Sequence, residues 1–349
     1  MQLAQFWKLV HESGLNASSM TEHPDDWDRV LIETNYAPVS YTLDMVLYQL
    51  SYVNHQITKT IDLSMVIYHE NRPIAVWPLH LLRLKSGLEL GSNEGHVLPP
   101  LFISGLRERT FKVLMARIFE LIWKLCKEFN IQTYHGVESF CGHYGASPWH
   151  CQLMQYGAQV KISHELYVDL SRGIGEIKAN FRKSYKSLLN SGLKVWSIDK
   201  LYREKGSVFN EFRELHKQVA GRVTRHDDTW ERQELAIQKG AAFLIFLRST
   251  TGRMVGGGLF NISPSEGNYA VGAYDRTLFE NPLGHLVQMR AIEEMKSLGL
   301  KWYKIGGRPY PGDSPTPTQK ELNISYFKEG FATHVFLRHH TELKTSFPR

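Results

Sequence analysis

The sequence predicts a mixed α/β (α+β) protein of two similar modules in tandem, residues 1–165 and 166–349, and three observations carry that prediction. The chain has 349 residues, which exceeds the usual single domain and suits two cores of about 150 to 200 residues each. Its composition, 42% hydrophobic and 22% charged, is that of a globular protein and excludes a disordered chain. Helical and strand periodicities also alternate along the chain, in an order that the second half repeats.

In the first half, LDMVLYQLSYV (43–53) has helical spacing, and IDLSMVIYHENRPIAVWPLHLLRL reads as two strands about an Asn71-Arg72-Pro73 turn. RERTFKVLMARIFELIWKLCKEFN (107–130) is the strongest amphipathic helix there, and strands follow at IQTYHGV and ELYVDL. The modules join near residues 163–172. In the second half, KANFRKSYKSLLNSG (178–192) reads as one basic helix. Lys178, Arg182 and Lys186 recur at every fourth residue with Lys183 beside them, while Phe181, Tyr185, Leu188 and Gly192 share another face. A strand at LKVWSI, helices at SVFNEFRELHKQVAG and DTWERQELAIQKG, and strands at AAFLIFLRS, MVGGGLFNIS and NYAVGAY come next. A helix from Pro282 to Leu298, a strand KWYKIGG and a last strand ATHVFLRHH complete the order.

The net charge of +6 suits anionic ligands without requiring a nucleic acid. Three cysteines, Cys126, Cys141 and Cys151, are too few for a disulfide framework and favour a reducing compartment. The first residues, MQLAQFWKLVHESG, lack the pattern of a leader, and no run of 18 apolar residues occurs, so a cytoplasmic protein with no transmembrane segment is expected. Transient contact with a membrane surface stays open, as does the oligomeric state.

His135, Cys141, His143, His150 and Cys151 crowd one stretch, but their spacing has neither C-x-x-C nor H-x(3–5)-H, so no metal is expected. Trp7, Trp27, Trp77, Trp123 and Trp149 read as core or interface residues rather than a base-stacking platform.

Four groups of residues carry candidate chemistry. Asn281 as N-cap, Pro282 in the first helical position and Gly284 in the first turn would present unpaired N–H groups to an anion, or merely cap a packing helix. Gly306-Gly307 at a strand end permits close approach of a ligand to the backbone. Lys328, set among aromatic residues in YFKEGF, could stabilise negative charge developing on a carbonyl oxygen, or be simply solvated. For a general base, His226 with Asp227 and Asp228 is one cluster and Tyr274 with Asp275 another; a helix cap and a turn aspartate are the plainer readings of those carboxylates.

The basic FRKSYKSLLNSG segment, the GGGLFNI and YAVGAYDR strands, the LGHLVQMRAIEEMKSLGLKWYKIGG unit and the terminal YFKEGF, in that order, resemble the FemAB-like branch of the GNAT acyltransferase superfamily. The resemblance covers roughly residues 165–340. It implies two tandem GNAT-like modules, the first degenerate, and transfer of an acyl or aminoacyl group from an activated thioester or ester to an amine. Acyl-CoA or aminoacyl-tRNA would be the co-substrate, with no tightly bound cofactor. The acceptor would be an amino sugar or a peptidoglycan or other cell-envelope precursor, nucleotide-linked in some relatives; DNA is not implied. Lys328 matches the lysine at the family's reaction centre and would stabilise the oxyanion. Asn281 to His285 would stand where GNAT proteins cradle pyrophosphate, with Gly306 and Gly307 nearby. Leu283-Gly284-His285-Leu286 departs there from the usual Arg/Gln-x-x-Gly-x-Gly/Ala, which weakens the case for CoA binding by that loop. Arg182, Lys183, Lys186 and Tyr185, with His226 and Asp227, become candidates to hold a substrate. The absence of a long coiled-coil arm favours acyl-CoA slightly. A non-catalytic anion-binding module and an RNA-binding protein are the competing readings.

Overall fold

The computed structural model describes residues 2–54, 59–142 and 145–345. The chain forms two compact units, one of residues up to Ile162 together with those from Arg338 onward, the other Ser163–Leu337. Among the described residues no helix is long and apolar enough to cross a membrane.

In order, the first unit contains α1 (Gln2–Glu12), β1 (Asn16–Ser19), α2 (Pro24–Glu33), α3 (Leu43–Asn54), β2 (Lys59–Asp62), β3 (Met65–His69), β4 (Arg72–Trp77), β5 (His80–Leu84), β6 (Gly87–Gly91), β7 (Leu101–Phe102), α4 (Glu108–Glu128), β8 (Thr133–Glu138) and α5 (Pro148–Gln155). Strands β1, β3, β4 and β7 make an antiparallel sheet in the order 1-3-4-7, and β2, β5 and β6 a second. The β3–β4 hairpin turns one residue earlier than the sequence suggests. Glu70 (φ 50°) and Asn71 (φ 62°) form a two-residue loop closed by His69 opposite Arg72, so Arg72 and Pro73 already belong to β4. Two left-handed residues match the twist of a tight hairpin. Trp27, Trp77 and Trp149 are buried in this unit's core, and Trp7 and Trp123 pack against it.

The chain enters the second unit within β9 (Gln159–Asp169) and continues through α6 (Ile174–Asn180), α7 (Tyr185–Gly192), β10 (Ser197–Leu201), α8 (Ser207–Ala220), α9 (Asp227–Lys239), β11 (Ala242–Arg248), β12 (Met254–Ile262), β13 (Glu266–Tyr274), α10 (Gly284–Ser297), β14 (Trp302–Gly307) and α11 (Gln319–Glu329). It leaves within β15 (His334–Lys344), whose residues from His339 pair with β8. The mixed α/β class with mostly antiparallel sheets is thus the class observed. In this unit β10, β11, β12 and β13 are antiparallel neighbours, β14 runs parallel to β13, and β9 lies antiparallel to β14.

Strand alternation assigns the two faces of this sheet. Phe243, Ile245 and Leu247 of β11 face the core shared with α10, while Ala242, Leu244 and Phe246 face that of α8 and α9. Glycines in β12 let helices press on both sides: a Cβ on Gly257 would lie 3.0 Å from Phe212 of α8, and one on Gly258 2.8 Å from Val287 of α10.

In the second unit the structure corrects two further readings and adds a helix. The basic segment is not one helix: α6 ends at Asn180, Phe181 is extended, and α7 starts at Tyr185. The Arg182 N–H donates to the Gly330 carbonyl at 2.8 Å instead of to the preceding turn, which breaks the run. Asn281 does not cap α10; its own N–H donates to Leu278 in a turn, and the helix begins at Gly284 behind Leu283. Finally, YFKEGF ends a full helix, α11, opened by a Thr318–Glu321 capping box.

Candidate active site

The second unit contains an opening made by two strands that part. Parallel β13 and β14 pair only through Glu266–Asn268 and Trp302–Lys304. Beyond, β13 continues against β12 to Tyr274, and β14 against β9 to Gly307. Each strand carries a bulge where they separate: Ala270 is the extra residue in β13 and Ile305 in β14. Bulges end or re-aim pairing, which is their effect at this point.

The β13 bulge has a chemical consequence. Five residues apart, Tyr269 and Tyr274 would point to opposite faces of a regular strand. The extra residue brings them to one face, with their hydroxyls 3.0 Å apart. Tyr269 also ends a ladder of parallel rings across three strands, Phe243 to Phe260 at 5.1 Å and Phe260 to Tyr269 at 5.2 Å. Burial pushes the Tyr269 hydroxyl up to about 12 and those of Tyr274 and Tyr303 well above the usual tyrosine range. All three stay neutral hydrogen-bonding groups at physiological pH, and Tyr303 donates to Gln288 of α10 at 2.5 Å.

Lys328, in the last turn of α11, reaches this wall. Its Nζ lies 5.2 Å from the centre of the Tyr269 ring. It also lies against Gly306, where a Cβ would come within 2.6 Å of Nζ. Gly306 has φ +143°, a conformation that glycine alone adopts freely. Among the described residues no carboxylate pairs with Lys328. Burial alone lowers its pKa to about 8. The group therefore remains mostly an ammonium near neutral pH, poorly solvated and without a counter-ion, which suits it to meet a developing negative charge.

The residues expected at the start of α10 are packed instead of open. A Cβ on Gly284 would lie 3.0 Å from Phe327 and 3.6 Å from Tyr274. The His285 ring stands edge-on to Tyr185 at 4.5 Å and to Phe327 at 5.0 Å, while Pro282, Leu283 and Leu286 are buried. Burial first, and the nearby Arg182 second, push His285 down to about 4, so its imidazole is neutral. The Tyr185 hydroxyl donates to the Phe327 carbonyl at 2.8 Å and ties α7 to α11.

Of the basic residues, Arg182 lies 3.6 Å over the Tyr326 ring and donates to the Tyr326 carbonyl and the Tyr185 hydroxyl. Lys178 pairs with Glu293 at 3.2 Å; Lys183 and Lys186 are exposed. Tyr274 belongs to the wall behind Lys328. Asp275 turns away, accepting from Thr277 and pairing with Arg253 at 2.9 Å, contacts that hold its carboxyl below the usual range. His226 precedes α9 and Asp227 pairs with Arg213, both on the α8–α9 layer across the sheet from α10. Gly307 pairs with Glu165 at the end of β14. The structure therefore gathers Lys328, Tyr274, Gly306 and the α10 start, and leaves His226, Asp227 and Asp275 elsewhere. Tyr269, Tyr303 and Gln288 were not singled out from the sequence.

Among the described residues there is no group of three or more His, Cys, Asp or Glu placed to hold a metal; His143 lies outside those residues.

No family model matches the sequence, and no curated protein matches it. Solved structures do. The crystal structure of FemX superposes with a TM-score of 0.70 at 11% identity, covering 93% of this chain and 96% of that one. L-PGS from Bacillus licheniformis gives 0.57 at 14% identity, covering 91% and 90%. A conserved protein of unknown function from Bacteroides thetaiotaomicron gives 0.60 at 8%, covering 95% and 99%. The chain therefore shares its fold with these structures over nearly the whole of its length.

Proposed function

We propose that the protein is an N-acyltransferase that moves an acyl or aminoacyl group from an activated thioester or ester to an amine of an amino sugar or cell-envelope precursor. The observation that supports this reading is Lys328, a half-buried ammonium with no carboxylate partner among the described residues, held over Tyr269 and beside Gly306 where β13 and β14 part. The parted strand edges offer backbone N–H and C=O groups to an extended donor arm. The neutral amine attacks the donor carbonyl and forms a C–N bond. The Lys328 ammonium stabilises the resulting oxyanion, and collapse breaks the C–S or C–O bond. The leaving thiolate or alkoxide ends protonated as the amine nitrogen gives up its proton. Positioning plus one oxyanion donor accounts for most of the acceleration, because the donor is already activated.

The choice of donor is a second question, and one observation bears on it. His285, Tyr185 and Phe327 pack against the start of α10, where a diphosphate would otherwise meet free N–H groups. That packing favours an ester donor such as aminoacyl-tRNA over acyl-CoA held by its diphosphate. The test is to incubate the protein with radiolabelled acyl-CoA or charged tRNA and a panel of amino sugars and peptidoglycan precursors. Transfer from either donor is expected, with the tRNA ester the better one. No transfer from both removes the enzyme reading.

A further inference from the structure

A separate cavity of about 240 Å³ lies in the second unit, between the C-terminal half of α8, the loop that follows it and the first turn of α9. It is smaller than the roughly 300 Å³ at which sites for drug-sized ligands begin, so it suits one compact group. Its lining is cationic: Arg213, Lys217, Arg222 and Arg225 stand against two carboxylates, Glu214 and Asp227, and Asp227 is already bonded to Arg213.

The cavity also has a built floor. Trp230 is 4% exposed and rests edge-on against Phe209 and Phe212. The Arg225 guanidinium lies 5.5 Å over its ring, and Arg225 Nη1 is 3.4 Å from His216 Nε2. His216 is itself edge-on to Trp230 at 5.2 Å. Burial, then the Arg225 charge, push His216 down to about 4, so its ring is neutral and can accept from the arginine. Trp230 and His216 thus fix the plane of Arg225, and a guanidinium of fixed plane is the group that grips a tetrahedral oxyanion through two parallel bonds. Lys217 and Arg222 are exposed beside it and add charge without shape.

We propose that this cavity is a subsite for a terminal phosphate group on a small molecule, bound by Arg225 with Lys217 and Arg222. The binding does not depend on the acyl-transfer reading.

Binding is measured without turnover, by calorimetric titration of the full chain with inorganic pyrophosphate at constant ionic strength. One saturable site is expected. Lys217→Glu combined with Arg222→Glu should weaken it at least about tenfold, the scale of charge-assisted hydrogen bonds. Lys194→Glu combined with Lys205→Glu makes the same charge change at exposed lysines that do not line the cavity and should leave it unchanged. Lys328→Ala should also leave it unchanged, which separates this subsite from the acyl-transfer reading. Absence of saturable binding, or equal weakening by both charge reversals, overturns the proposal. A single-stranded polyribonucleotide that outcompetes pyrophosphate through the same residues overturns it in favour of an RNA backbone.

Discussion

Two half-buried lysines of the second unit receive opposite treatment. Lys304 of β14 places Nζ 2.6 Å from Glu165, a carboxylate only 2% exposed, whose other oxygen accepts from Tyr167. Lys328 lies against Gly306, two residues along the same strand, and meets an aromatic face and a bare Cα instead of a carboxylate. A buried cation with a hydrogen-bonded counter-ion is satisfied and serves the fold. A buried cation without one costs stability, and that cost is retained where an incoming negative charge is to be met. On the proposed function, Lys304 serves the fold and Lys328 the chemistry.

Each side of the contrast can be broken separately. Lys328→Ala should lower turnover roughly 10²-fold, the effect of losing one oxyanion donor, while urea unfolding shows no loss of stability. Glu165→Ala should do the reverse. Losing the Lys304–Glu165 pair costs about 3 kcal/mol of unfolding free energy in the same urea experiment, and turnover per folded molecule stays near wild type. Gly306→Ala displaces the Lys328 ammonium without touching Lys304, and a loss of about tenfold in kcat is expected, since misplacing a catalytic group by about 1 Å costs on this order or more; a side chain at φ +143° also strains the backbone, so stability falls by about 1 kcal/mol or more. The smallest effect belongs to Tyr269→Leu. Removing the ring beneath the ammonium should cost about 1 kcal/mol, roughly fivefold in kcat, and Tyr269→Phe should restore most of it. A Phe variant as poor as Leu would assign the effect to the tyrosine hydroxyl network rather than the ring.

Most elements of the second unit were legible because local pattern and tertiary context agree there. Strand β11 is an unbroken apolar run and β12 an apolar run with glycines, and α8 and α9 end in Gly221 and Gly240, both left-handed as a C-terminal stop requires. What the sequence hid was decided by contacts distant along the chain. The break at Phe181 exists because a carbonyl 148 residues further on, that of Gly330, takes the Arg182 N–H. The pairing of Tyr269 with Tyr274 exists because β13 bulges at Ala270, and an alternation rule places the two rings on opposite faces. Helix α11 was different: Thr318 and Glu321 announced a capping box, and the Pro-rich approach masked it. Of the candidate site, Lys328 and Gly306 stand in sequence patterns that draw attention to them, whereas Tyr269, Tyr303 and Gln288 carry no motif of their own and are recognised only by what they touch.

The central claim, that Lys328 acts as a charged donor and not as a base, is tested most directly by the ratio of wild-type to Lys328→Ala turnover across pH. With burial lowering the Lys328 pKa to about 8, the ammonium is present below that pH and lost above it. The account predicts a ratio of roughly 10² near pH 7 that falls toward unity as pH rises through about 8. A ratio that instead rises through that range, as it would if neutral Lys328 took the proton of the attacking amine, contradicts it.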